Sequence, residues 1–229
     1  MKKGNTAAVE AAGRKYHVKE PGSALTHFAA LLLSVGFAPP LLVHGASRHL
    51  EAAGMAGLAV FMTSMVLLYG ASSAYHTFYL SDRGNQVLKR LDHMMIFVLI
   101  AGTYTPVCLI HLAGPAGNRL MVLTWTIAAV GMLFKFFWVG CPKWVSSVLY
   151  IGMGWICILA WLQIVARVPS VGFRWLLAGG IIYTLGGVIY ALKLPFPKAW
   201  ERWFGTHELF HLFVIAGSFC HYMAMYLSI

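Results

Sequence analysis

Charge is what this sequence has least of: charged residues fill 10% of its 229 positions, against roughly 25% in soluble domains, and only 7 are Asp or Glu. So few charges cannot clothe a water-soluble globule of this size, which excludes an ordinary soluble fold. Cysteine is also scarce. Cys108, Cys141, Cys157 and Cys220 show no C-x-x-C spacing and mostly fall in apolar runs, so neither a disulfide framework nor a thiolate metal site is expected, and they read as apolar filler. Residues 1–19 are polar and basic, but no short apolar stretch with a small-residue cleavage site follows them, so a cleaved signal peptide is not expected. Internal repeats, low-complexity tracts and a second domain are likewise missing.

What remains is mostly apolar. Hydrophobic residues make up 59% of the chain, and its mean hydropathy is +0.72. Apolar windows fall at about 24–43, 54–75, 91–111, 120–139, 144–165, 173–192 and 207–228. Each is close to the roughly 20 residues that cross a bilayer as a helix and too long for a barrel strand, so the sequence predicts an all-α, polytopic bundle of seven transmembrane helices. The expected organisation is a cytoplasmic N-terminal segment, 1–23, followed by one transmembrane domain, 24–229. Gly114-Pro115, Cys141-Pro142 and Leu194-Pro195-Phe196-Pro197 punctuate the loops. Gly102, Gly131, Gly152, Gly154, Gly179, Gly180, Gly186 and Gly187 lie inside the spans, where small residues let helix backbones approach, and are expected to serve packing.

The formal charge of +10 sits between the apolar runs rather than in a patch suited to nucleic acid. With the N-terminus inside, the cytoplasmic segments hold 13 of the 17 basic residues: Lys2, Lys3, Arg14, Lys15, Lys19, Arg83, Lys89, Arg90, Lys135, Lys143, Lys193, Lys198 and Arg202. Only Arg48, Arg119, Arg167 and Arg174 fall outside. The positive-inside rule therefore predicts a cytoplasmic N-terminus and an external C-terminus, with membrane lipids as the partners and no nucleic acid. Oligomeric state leaves no trace in the sequence.

Ionisable residues inside membrane spans are costly and mark function unless paired. Three groups stand out: Ser72-Ser73-Ala74-Tyr75-His76 at the end of the second window, Asp92-His93 at the start of the third, and His207-Glu208-Leu209-Phe210-His211 at the start of the seventh. The predicted topology brings all three to the cytoplasmic edge. His207 and His211, four apart, share one helix face and reach a single ion. His76 is the best third ligand, since a catalytic zinc site pairs three protein ligands with one open position. Asp92 then fits as the base or outer group for water, and Ser72, one turn before His76, as a residue that orients the imidazole or the water. His93 is the alternative ligand, but it points about 100° away from Asp92 on a helix and reads as a packing or network residue. His221 lies too far along its helix to share the ion, and His17, His27, His44, His49 and His111 look interfacial or loop-bound. His207-Glu208-x-x-His211 also matches the zincin pattern, in which the Glu is a metalloprotease base. Glu208 is equally explained as a first-turn acidic residue favoured by the helix dipole.

Ser72-x-x-x-His76, Asp92-His93-x-x-Ile96 leading into Ala101-Gly102-Thr103-Tyr104-Thr105-Pro106, and His207-x-x-x-His211 together resemble the bacterial hemolysin III family, which is related to the progestin and adipoQ receptors, including the adiponectin receptors. The resemblance runs from the Thr26-His27 region through the last window. It implies a seven-helix protein of the bacterial inner membrane with a cytoplasmic N-terminus and zinc on His76, His207 and His211. It further implies that Asp92 approaches the metal through water, with Ser72 nearby. Alkaline ceramidases belong to the wider superfamily, so hydrolysis of lipid amides is the implied activity. The receptor relatives carry Gln where this chain has Glu208.

Three functions are compatible with these residues. The first is a zinc-dependent hydrolase of lipid amides, ceramidase-like, with Asp92 and Ser72 as catalytic groups. The second is a hemolysin, membrane-homeostasis or sensing protein in which zinc only staples helices. The third is an intramembrane metalloprotease. A pore has little support, because the windows show no recurring polar stripe.

Overall fold

A chain this apolar satisfies its backbone within each segment, and the computed structural model accordingly contains helices and no strand among the residues it describes, 18–192 and 205–229. Seven helices are long and apolar enough to cross a membrane: α1 Pro21–Ser47, α2 Ala52–Thr77, α3 Asp82–His111, α4 Pro115–Phe137, α5 Lys143–Arg167, α6 Ser170–Leu192 and α7 Thr206–Ser228. The basic residues Lys2, Lys3, Arg14 and Lys15, His17, and the loop with Lys193, Pro195, Pro197, Lys198 and Arg202 lie outside the described residues.

Most helix ends extend the apolar windows by a few residues. The largest extension is at α3. Asp82 to Arg90, too polar to register as a span, continues the helix outward, started by the Ser81 hydroxyl that accepts the Gly84 N–H at 3.3 Å and by Asp82 in the first turn. Asp92 and His93 therefore sit about three turns inside α3 rather than at its start, as the apolar window suggests.

Two helices depart from regular geometry. After Pro106, α3 ends in a π-helical turn, Val107–His111. In α5 the residues Trp155–Ala160 are wound as a 3₁₀ segment, which frees backbone groups that hydrocarbon cannot satisfy. Tyr104 of α3 repairs the break. Its hydroxyl donates to the Gly154 carbonyl at 2.6 Å and accepts the Cys157 N–H at 2.9 Å.

Packing places α2 between α1 and α3, α7 between α6 and α1, and α5 between α3 and α6, closing a ring of six helices, while α4 leans on the outside of α3. Small residues set the close approaches: a methyl group on Gly131 of α4 would collide with the Phe97 ring of α3, and one on Gly102 would collide with Ser64 of α2. Gly152, Gly154 and Gly180, expected to pack in the same way, have nothing within 4 Å of a Cβ. Gly154 and Gly180 instead line a cavity inside the ring.

Lys135, expected to serve as a loop charge, is fully buried within α4, its ammonium 2.6 Å from Ser146 Oγ and 3.0 Å from Cys141 Sγ. Cys141 is therefore a polar partner rather than filler. All four cysteines are free.

Candidate metal centre

The i, i+4 spacing in the first turns of α7 points His207 and His211 into the ring, where they meet His76 from the last turn of α2. One nitrogen of each lies within 4.8 Å of the others. The ring centroids form a triangle, with 5.0 Å from His76 to His207, 5.1 Å from His76 to His211 and 4.5 Å from His207 to His211.

Neighbouring side chains decide which nitrogens face inward. Glu20 Oε2 lies 2.6 Å from His76 Nδ1, so the Nδ1–H is the donor and Nε2 keeps its lone pair. Thr26 gives its hydroxyl proton to the Ser23 carbonyl at 3.0 Å, so its oxygen accepts from His211 Nδ1 at 3.2 Å, and His211 Nε2 is likewise left free. The Nε2 atoms of His76 and His207 then face each other at 3.3 Å. Two imidazole nitrogens turned together need a proton or a cation between them. Zinc–nitrogen bonds of about 2.0–2.1 Å at a tetrahedral angle separate two ligand nitrogens by roughly 3.3–3.4 Å, so the His76–His207 spacing suits that ion, and the full set, spread over 4.8 Å, would draw in at His211 to complete it. The donor set, three imidazoles of which two have their outer nitrogens anchored, is one that suits zinc.

Glu20 precedes Pro21, which opens α1, and its chain runs along the end of α2: Glu20 N–H donates to the His76 carbonyl at 2.9 Å and Lys19 N–H to the Thr77 carbonyl at 3.3 Å. Lys19 also lays its ammonium 3.6 Å from the Tyr75 ring centroid. The hydrogen bond from His76, aided by the positive charge of nearby groups, holds the Glu20 carboxyl below its ordinary range, so it stands as an anion at neutral pH.

Asp92 and Ser72 line the same cavity as His207 and His211 and are buried. Asp92 Oδ2 is 3.5 Å from His93 Nδ1, and that nitrogen is 3.0 Å from the Lys89 carbonyl. Ser72 Oγ makes no hydrogen bond within 3.5 Å and lies beside the Asp92 carboxylate. Glu208, the other candidate base, is engaged at both oxygens: Oε1 accepts from Ser23 Oγ at 2.5 Å and Oε2 from the Gly205 N–H at 2.8 Å. It caps α7 and ties it to α1. His221 donates Nδ1–H to the Gly217 carbonyl at 2.8 Å and lines the cavity far from the triangle.

The cavity, about 190 Å³, receives side chains from every helix except α4. From His207 to His221 it follows α7 for roughly 20 Å, at about 1.5 Å per residue. Beyond the histidines its walls are mainly apolar, with Leu68, Leu99, Val107, Ile164, Leu176 and Val214 among them.

Sequence reasoning missed Glu20, Thr26 and His27. Glu20 carried a signal in its rarity, since only 7 acidic residues exist and Glu20, Asp92 and Glu208 all gather here. His27, expected at an interface or in a loop, is instead buried in α1 with its ring stacked on His211 at a centroid distance of 3.5 Å. The spacing of α1 alone could not reveal that its neighbour would be a ligand candidate on α7.

The profile described as "Haemolysin-III related" matches residues 15–222. The chain is similar to Hemolysin-3 of Bacillus cereus, 38% identical over 201 residues that cover 87% of each chain. It is also similar to a Hemolysin-3 homolog of Bacillus subtilis, 35% identical over 87% of this chain and 89% of that one. A more distant likeness, 24% identical, joins 90% of this chain to 51% of an adiponectin receptor protein of Drosophila melanogaster.

Proposed function

The chain belongs to the haemolysin-III related family, as a multi-pass protein of the bacterial cell membrane, and from that premise we propose that it is a zinc-dependent hydrolase of long-chain lipid amides. The observation that carries this reading is that three histidines, close enough to share one ion, gather at the end of a long, mainly apolar cavity that His207 and His211 line together with a buried carboxylate, Asp92. Three ligands leave a coordination position for chemistry, whereas a structural zinc ordinarily takes four. Zinc at this position supplies a Lewis acid that polarises a carbonyl and brings the pKa of water to about 7.

The protein does the rest. His76, His207 and His211 would hold the ion, and Glu20 and Thr26 fix two of the imidazoles in the tautomer that presents Nε2. The apolar shaft seats the acyl chain and brings the amide to the histidine end. Asp92, steadied by His93, accepts the proton of the attacking water and returns it to the leaving nitrogen as the carbon–nitrogen bond breaks, releasing a fatty acid and an amine. Ser72, buried with an unused hydroxyl, orients that water. Glu208 has no part in this chemistry, because one of its oxygens caps α7 and the other is held by Ser23 of α1.

Metal analysis of the purified protein tests the reading. About one zinc per chain is expected, with loss in His76→Ala, His207→Ala and His211→Ala. Asp92→Asn should keep the metal and lose hydrolysis of a long-chain N-acyl amide by a factor of about 10² to 10⁴. Zinc retained by a wild-type chain that cleaves no lipid amide would make the ion a staple between α2 and α7.

A further inference from the structure

His27 is unlike the other histidines. It is 3% exposed, and neither ring nitrogen has a hydrogen-bonding partner. Its flat face is well used, stacked on His211 at 3.5 Å and 7°, with the Tyr69 ring edge-on at 5.1 Å. None of the polar neighbours reaches it. Tyr69 donates to Ser218 Oγ at 2.6 Å, and Thr26 is engaged with Ser23 and His211.

A phenyl ring would fill the same space and stack as well, without two buried polar atoms left unmatched. His27 lines the cavity, and so does Ser72, whose buried hydroxyl has only the Asp92 carboxylate beside it. Tyr69, Ser72 and His76 lie three and four residues apart on one face of α2. Going inward from the mouth, the order is therefore histidine triangle, then Ser72 and His27, then the apolar shaft. Unmatched polar atoms at the boundary between a polar head and an apolar shaft are where the oxygen of an amphiphile comes to rest.

We propose that His27 is the hydrogen-bond donor for the carbonyl oxygen of a long-chain ligand in this cavity, its N–H directed at the oxygen while its ring face stays on His211. Neutral imidazole has one N–H and one lone pair, so the group suits a carbonyl beside a hydroxyl or amide N–H, the pattern of a long-chain amide or ester. This rests on the reading that a lipid occupies the cavity; it does not require that the lipid be cleaved.

The test uses the full-length, zinc-loaded protein in lipid nanodiscs and a long-chain methyl ketone with a terminal diazirine, a carbonyl compound that cannot be hydrolysed. Photolabelling is competed by the unlabelled ketone and by the same chain with a methylene in place of the carbonyl. Wild type is expected to favour the ketone by about tenfold, because a site built around a donor discriminates against a ligand lacking the acceptor. His27→Phe should keep its zinc, unfold at the same or a higher temperature, and bind both competitors equally. His27→Gln, which restores a donor, should recover part of the preference.

A wild-type chain with no preference, or a His27→Phe chain that keeps it, overturns the proposal. A His27→Phe chain that loses zinc or fails to fold makes the residue structural and also overturns it. Preference for the ketone without hydrolysis of any lipid amide would overturn the hydrolase reading alone.

Discussion

At the scale of single residues, the histidine cluster depends on groups outside it. Glu20 reaches His76 from a chain segment before the first helix, and its anionic carboxylate orients the ring so that Nε2 faces the other histidines. Glu20→Gln keeps a hydrogen-bond acceptor and removes the charge. Zinc affinity should fall by about 10- to 100-fold, measured by competition with a chelator of known affinity, while helix content is unchanged. Sequence alone exposed the i, i+4 pair because that spacing is periodic, and it exposed His76 and Asp92 because polar residues interrupting an apolar run are conspicuous. It signalled Glu20 only by the rarity of acidic residues, since no spacing links a residue before the first span to the end of the second. It misjudged His27, whose meaning comes from a ring on a helix about 180 residues away.

At the scale of helices, hydropathy located all seven spans, since lipid imposes a length and a composition on each. It located neither the outward extension of α3 nor the 3₁₀ segment of α5, for opposite reasons. The extension is polar and held by a local cap at Ser81. The 3₁₀ segment is as apolar as the rest of its helix, and what stabilises it is Tyr104, a residue of another helix. Tyr104→Phe should therefore leave a carbonyl and an amide of α5 unmatched in an apolar setting. The expected cost is about 1–3 kcal/mol, read as a lower unfolding temperature in detergent, with zinc content unaffected. An unchanged unfolding temperature would mean that α5 can rewind without its partner.

For the whole molecule, six helices surround the cavity and α4 stands outside the ring. From the charge asymmetry we propose that the histidine end faces the cytoplasm, since Lys19, Arg83, Lys89, Arg90 and Lys143 share that end. Single cysteines introduced at Asn85 and Asn118 in a cysteine-free variant should divide accordingly. In intact cells a membrane-impermeant maleimide should label the second and not the first, and the reverse pattern would invert the topology.

The two backbone hydrogen bonds from Lys19 and Glu20 to the end of α2 lie beside the carboxylate that grips His76. Metal binding by the histidines and docking of Lys19 and Glu20 would thus be one coupled equilibrium: whatever tightens the ion would hold this segment, and whatever pulls the segment would loosen the ion by the same factor. A centre buried among helices is in this way connected to the aqueous phase by a mechanical tether two residues long.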